Sequence, residues 1–153
     1  MNKLFVAAAL AVTLAQPASA ITFSKLTTIY VGAGVTEFEA GSQTATVFSC
    51  SNVSGQSATI RVVVLNKEGA VAGSATLAAV PHGGNRTFGT SDSGSVIEDG
   101  FLNTGNVLQG TVNIEATQSA IFCSAIIVDP TLFNANGAAL HLVRVNPHPG
   151  TVE

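Results

Sequence analysis

The side chains equipped for chemistry are few and scattered. Asp92-Ser93-Gly94 presents a serine flanked by an acid and a glycine. A serine becomes a nucleophile only beside a general base that a third group orients, and one triplet does not supply that geometry. No Gly-x-Ser-x-Gly elbow accompanies it. His82, His141 and His148 lie far apart, with no pair at helical or zinc-ligand spacing, and Cys50 and Cys123 lack zinc spacing as well. Asp92, Glu98, Asp99 and Asn103 cluster within one polar stretch and offer oxygen ligands. Their spacing is not that of an EF-hand, so they read either as a calcium site on a loop or as a solvated polar loop. The carboxylates offer no pair whose separation a sequence could fix, as a glycosidase would require. Sugar platforms are scarce too, because the chain has no Trp and a single Tyr, Tyr30.

The two cysteines are better explained together. Residues 1–20 carry a basic start at Lys3, an apolar run from Leu4 to Ala15, and Ala18-Ser19-Ala20 at the end. This is the pattern of a secretory signal peptide, and it is too short to span a bilayer core of roughly 30 Å. It predicts export to the periplasm or the medium, where Cys50 and Cys123 would form a disulfide. A loop of about 70 residues closed in this way gains roughly 4–5 kcal/mol in the chain-entropy model. Two sequons, Asn52-Val53-Ser54 and Asn85-Arg86-Thr87, read as chance matches behind a leader of bacterial style.

Beyond residue 20, five basic side chains (Lys25, Arg61, Lys67, Arg86, Arg144) face nine acidic ones, a net charge of −4. That balance argues against nucleic acid or an anionic membrane as partner. Charged residues make up only 10 % of the chain, against about 25 % in an average soluble protein, so sheet edges have little electrostatic protection. No further apolar stretch is long enough to insert in a membrane.

The elements that must position these residues are short β runs separated by Gly, Asn, Ser and Pro. Strands are predicted at 26–31, 44–50, 59–65, 71–80, 85–89, 107–117, 121–128 and 139–145. Ile60, Val62 and Val64 share one face, and so do Val112, Ile114 and Ala116, opposite Asn113 and Glu115. Asn66-Lys67-Glu68-Gly69 forms a hairpin turn, 90–105 a long polar loop, and the chain from about 146 an extended tail. No amphipathic helix follows the leader. The expectation is all-β: one antiparallel β-sandwich of immunoglobulin-like architecture over 21–153, with seven or eight strands. The Trp that packs on the immunoglobulin disulfide is missing.

Cys50 shares a face with Phe48, and Cys123 with Ile121, Ala125 and Ile127, so a cystine here could pin the two sheets face to face. The opposite face of 121–128 carries Phe122, Ile126 and Val128, with Ser124 the only polar residue. A solvated outer face should alternate more cleanly. Either a loop or the 131–133 segment covers these three, or they form an interface with another subunit or protein. On the last strand, Leu140, Leu142 and Arg144 face one way and His141 the other. Arg144 at a strand end or a hydrogen-bonded His141 at the rim explains that arrangement, with a ligand role as the lesser reading.

The order of a turn at Ser51-Asn52-Val53, an Ile/Val-rich strand, a Gly-turn hairpin, Arg86-Thr87-Phe88 and paired late strands resembles the layout of sensory-rhodopsin-transducer-like β-sandwich domains. The chain is also similar to small exported bacterial proteins that end in a segment like Ala-Leu-His-Leu-Val-Arg-Val-Asn-Pro. The resemblance covers about 26–149, implies the sandwich and adds no catalytic residue.

These observations lead to an exported, disulfide-linked sandwich without catalytic activity or cofactor. It is expected to act as an interaction or assembly module toward other protein, a second copy of itself included. The alternative is a binding domain for calcium or a small glycan through the 90–105 loop, and a hydrolase built on that loop ranks third.

Overall fold

The computed structural model describes residues 20–38, 43–92, 96–132 and 137–145. Residues 1–19 of the leader, Ser93, Phe133 and the tail from 146 lie outside the described residues. Ten strands form two sheets: β1 (Thr22–Glu37), β2 (Ala45–Asn52), β3 (Ala58–Leu65), β4 (Val71–Val80), β5 (Asn85–Gly89), β6 (Gly100–Phe101), β7 (Val107–Gln118), β8 (Ile121–Val128), β9 (Ala138–Leu140) and β10 (Leu142–Arg144). One sheet runs β10-β1-β7-β3-β4 and the other β6-β5-β2-β8-β9. Every pairing is antiparallel except β5 with β6. The molecule is an all-β sandwich, and no helix among the described residues is long and apolar enough to cross a membrane.

Alternation builds the core. In β3 every second residue is buried, and Ile60, Val62 and Val64 meet Ala116, Ile114 and Val112 of β7 in register. These residues pack against Phe48, Phe88, Ile121 and Ala125 from the facing sheet. Burying apolar area at about 25 cal/mol per Å² supplies the main driving force.

The strand count exceeds the seven or eight expected from the sequence, for two local reasons. Gly100–Phe101 pairs with β5 inside a stretch of turn residues that carries no alternation. The last strand, expected to be continuous over 139–145, is divided at His141. Residues 138–140 pair with β8 in one sheet, and 142–144 pair with β1 in the other. Leu140 and Leu142 both pack on the core, so the crossing keeps its apolar side inward.

The disulfide forms between Cys50 and Cys123, with Cα atoms 4.2 Å apart, but it does not join the two sheets. The two cysteines are directly opposed in the β2–β8 ladder, so the bond lies within one sheet. Strand parity had placed both on inward faces and could not say whether those faces belonged to one sheet or two.

Arg144 fastens the β10 end. Its guanidinium donates to the Tyr30 hydroxyl at 2.9 Å, to the Ile121 carbonyl at 2.9 Å and to the Ser119 carbonyl. It also stacks 5.1 Å from the Tyr30 ring centre. Tyr30, 7 % exposed, donates its hydroxyl to Ile121 O at 3.1 Å. Arg144 therefore turns inward instead of reaching solvent.

Candidate functional site

At the end of β1 the chain buries an acid. Glu37 is 2 % exposed and accepts a hydrogen bond from the Thr104 hydroxyl. Asn103 and Gly105 flank that threonine with φ of 50° and 59°, the left-handed region that Asn and Gly tolerate best. Three threonines make a rigid wall beside it. Thr46 N donates to Thr90 Oγ1 at 2.9 Å, Thr90 N to Thr46 O at 3.0 Å, and Thr46 Oγ1 to Thr36 O at 2.9 Å. In front lies a cleft of about 490 Å³ lined by Glu37, Thr90, Ser91, Asp92, Phe101, Asn103 and Gly105. Its described lining is rich in oxygen donors and contains no histidine or cysteine. Such a surface suits a polar or cationic group.

Of the four oxygen ligands expected in the 90–105 loop, only Asp92 and Asn103 reach this cleft. Asp99 is occupied elsewhere, accepting from Thr87 N at 2.9 Å while its own N donates to Thr87 O at 2.8 Å. Glu98 is half-buried outside the cleft. No group of three or more His, Cys, Asp or Glu able to hold a metal occurs among the described residues. The loop is also less solvated than expected, since Leu102 is 2 % exposed and Thr90 1 %. Glu37 was missed as a site residue. Its signal was parity, because it stands two positions after Val35 on the buried face of the same strand.

The apolar outer face of β8 is divided. Phe122 is 52 % exposed. Val128 is only 2 % exposed and belongs to a second small core with Ala45 and Val47. Val96 and the half-buried Ile126 pack against that core. Val128 is therefore covered within the chain, and Ile126 lies at the margin of that cover. The cover comes from Val96 in the 90–105 loop, whereas Thr131 and Leu132 of the segment after β8 are exposed. Toward Phe122 the same face turns polar, where Asn85 Nδ2 donates to Ser49 Oγ at 3.0 Å and to Ser51 Oγ at 2.9 Å.

Several of the remaining candidates have structural roles. Buried Asn52 donates to Gln56 O at 2.7 Å and Val80 O at 2.8 Å, and accepts from Ser54 N at 3.0 Å. With the side chain wholly enclosed, a glycan on Asn52 is incompatible with this fold. Tyr30 is buried and offers no sugar platform. His82 Nδ1 accepts from Gly55 N at 3.1 Å. His141 is exposed at the sheet crossing, and His148 lies outside the described residues.

No family model matches this chain, and no curated protein or solved structure matches it.

Proposed function

We propose that the chain is an exported, non-catalytic module that binds other protein through the outside of its sandwich. The observation that carries this reading is apolar surface left uncovered on both sheets. Phe122 stands out at 52 % exposure from one sheet, and Val143 and Val145 at 48 % each from the other. Val143 lies beside half-buried Val31 in register, along a shallow groove whose lining mixes Val31, Ala33 and Val143 with Thr111, Asn113 and His141. Large apolar side chains left uncovered on an outer face are a mark of a protein contact. The leader pattern at 1–20 supports export, and the cystine fits an oxidising compartment. The test is a photo-reactive benzoylphenylalanine placed at Phe122 or Val143 in producing cells, with exposed Glu68 as control. Discrete adducts at the first two positions alone are expected. Their absence at both would refute the reading.

A second reading takes the Glu37 cleft as a site for calcium or a small glycan, favoured by a buried carboxylate beside Asp92 and Asn103. A rise in melting temperature with calcium that chelation reverses and Asp92→Asn abolishes would support the ion. An unchanged melting temperature would set it aside.

A further inference from the structure

We infer that the free edge of β4 is a self-pairing surface, and that two copies of the chain join there as an antiparallel dimer about a two-fold axis through Ala75. This goes beyond the interaction reading above, which concerns the outer faces and not this edge.

The four sheet edges differ. β6 offers two residues, and β9 and β10 three each. β4 has ten residues, pairs with β3 alone among the described residues, and contains no charged residue and no proline. Half of the backbone donors and acceptors of such a strand point away from its neighbour, which makes it a template for another strand. Natural edges are normally blunted by lysine, proline, shortness or bulges. Here only the ends are limited. Ala79 sits at φ 54° within a register shift between Ile60↔Leu77 and Ala58↔Val80, and Gly73 to Val71 shifts similarly. The regular stretch between them is centred on Ala75.

A second copy is the occupant that this sequence fits. A two-fold axis perpendicular to the sheet pairs residues equally far from its centre, on the same face. Centred on Ala75, Ser74 of one copy stands opposite Thr76 of the other on the outer face, a hydroxyl pair of the kind found across strands. On the inner face Leu77 stands opposite Gly73, large against absent. The charge pattern agrees. Any charge near the axis of an isologous contact would meet its own kind. Beside it, Arg61 stands next to Thr76 in the β3–β4 ladder, and Asp99 adjoins Gly100, which lies against Ala75, with its carboxylate accepting from Thr87 N. Arg61 pairs with Glu115, and Lys67 with Glu68 at 3.4 Å. The backbone groups at the edge would gain partners without new charge burial. The product is a ten-stranded sheet shared by two sandwiches.

The test is the mass of the oxidised, disulfide-bonded chain by size-exclusion chromatography with light scattering, at concentrations up to about 1 mM. Wild type is expected to run as a dimer. Ser74→Lys with Thr76→Lys, both exposed positions, should give a monomer with its melting transition retained, and so should Ser74→Glu with Thr76→Glu. An equimolar mixture of the two variants should return to the dimer, which no loss of folding could produce. A monomeric wild type overturns the inference, and so does a dimer that both charged variants preserve. Adducts at Phe122 or Val143 alongside a monomeric wild type would overturn this edge and leave the interaction reading standing. No adducts together with a monomer would overturn both.

Discussion

The two long sides of the sandwich are built differently. On the β9/β10 side the chain passes from one sheet into the other at His141, so a covalent strap closes the seam. Arg144 and Tyr30 fasten that strap to the turn before β8, and the Cys50–Cys123 bond reinforces the adjoining ladder. The long strand beneath, β1, is a poor template because its pairing with β7 shifts register four times and it carries Lys25. On the β4 side no such strap occurs among the described residues. The sheets approach each other where Gly73 lies against the Leu102 carbonyl, and the edge outside is regular and uncharged. One side spends its polar and covalent devices on closure, and the other leaves its backbone available.

Substitutions that break this contrast should rank by how much each side depends on its device. Replacing both cysteines by Ala should cost most, about 4 kcal/mol by the loop-entropy relation for a sequence separation of 73, measured as the shift in the urea midpoint. Arg144→Ala leaves the Ile121 and Ser119 carbonyls without their charged donor. A loss of about 3 kcal/mol is expected, by the scale of buried hydrogen bonds to charged groups. Hydrogen exchange should then quicken first at Leu142 to Arg144. If exchange quickens equally in β4, the two sides are one cooperative unit and the contrast fails. Gly73→Ala tests the other side. A β-carbon there would overlap the Leu102 carbonyl oxygen and lie 2.9 Å from Thr104 Cγ2, so a cost of about 2 kcal/mol is expected from overpacking against backbone.

The smallest effect concerns Asp129, just after β8. The Thr131 hydroxyl and then the Thr131 backbone N–H donate to its carboxylate and hold it below the ordinary value of 3.8. A carboxylate whose folded pKa is depressed adds stability above its unfolded pKa and loses it as pH falls through the folded value. Thr131→Val should therefore slightly reduce stability at neutral pH and leave it unchanged well below pH 3.8. Melting curves at the two pH values would check the sign.

Much of the fold was legible because strand parity is a local property. The faces of Ile60, Val62 and Val64, and of Val112, Ile114 and Ala116, follow from alternation alone and are found as read. What failed was long-range. Whether Cys50 and Cys123 face each other across the sandwich or along a ladder depends on which strands are neighbours, and no local pattern encodes that. For the apolar face of Phe122, Ile126 and Val128 the sequence left cover and interface both open, because the cover found at Val128, Val96, comes from a distant loop with no strand pattern. The split at His141 was hidden because crossing between sheets preserves the inward side of Leu140 and Leu142. Glu37 was overlooked among nine acids, although its parity with Val35 marked it as buried.

The pairing of β1 has a kinetic consequence. Thr22 bonds to Gln118 across 96 positions, and Tyr30 is bound by Arg144 across 114. The first strand thus waits for partners that emerge only late in the chain, and contacts of such separation make folding slow, on a scale of about milliseconds to seconds. The β3–β4 hairpin needs no such wait. It can form while the rest is still unstructured, presenting its uncharged edge before the sandwich closes, so crowding of nascent chains should be the condition under which this protein misassembles first.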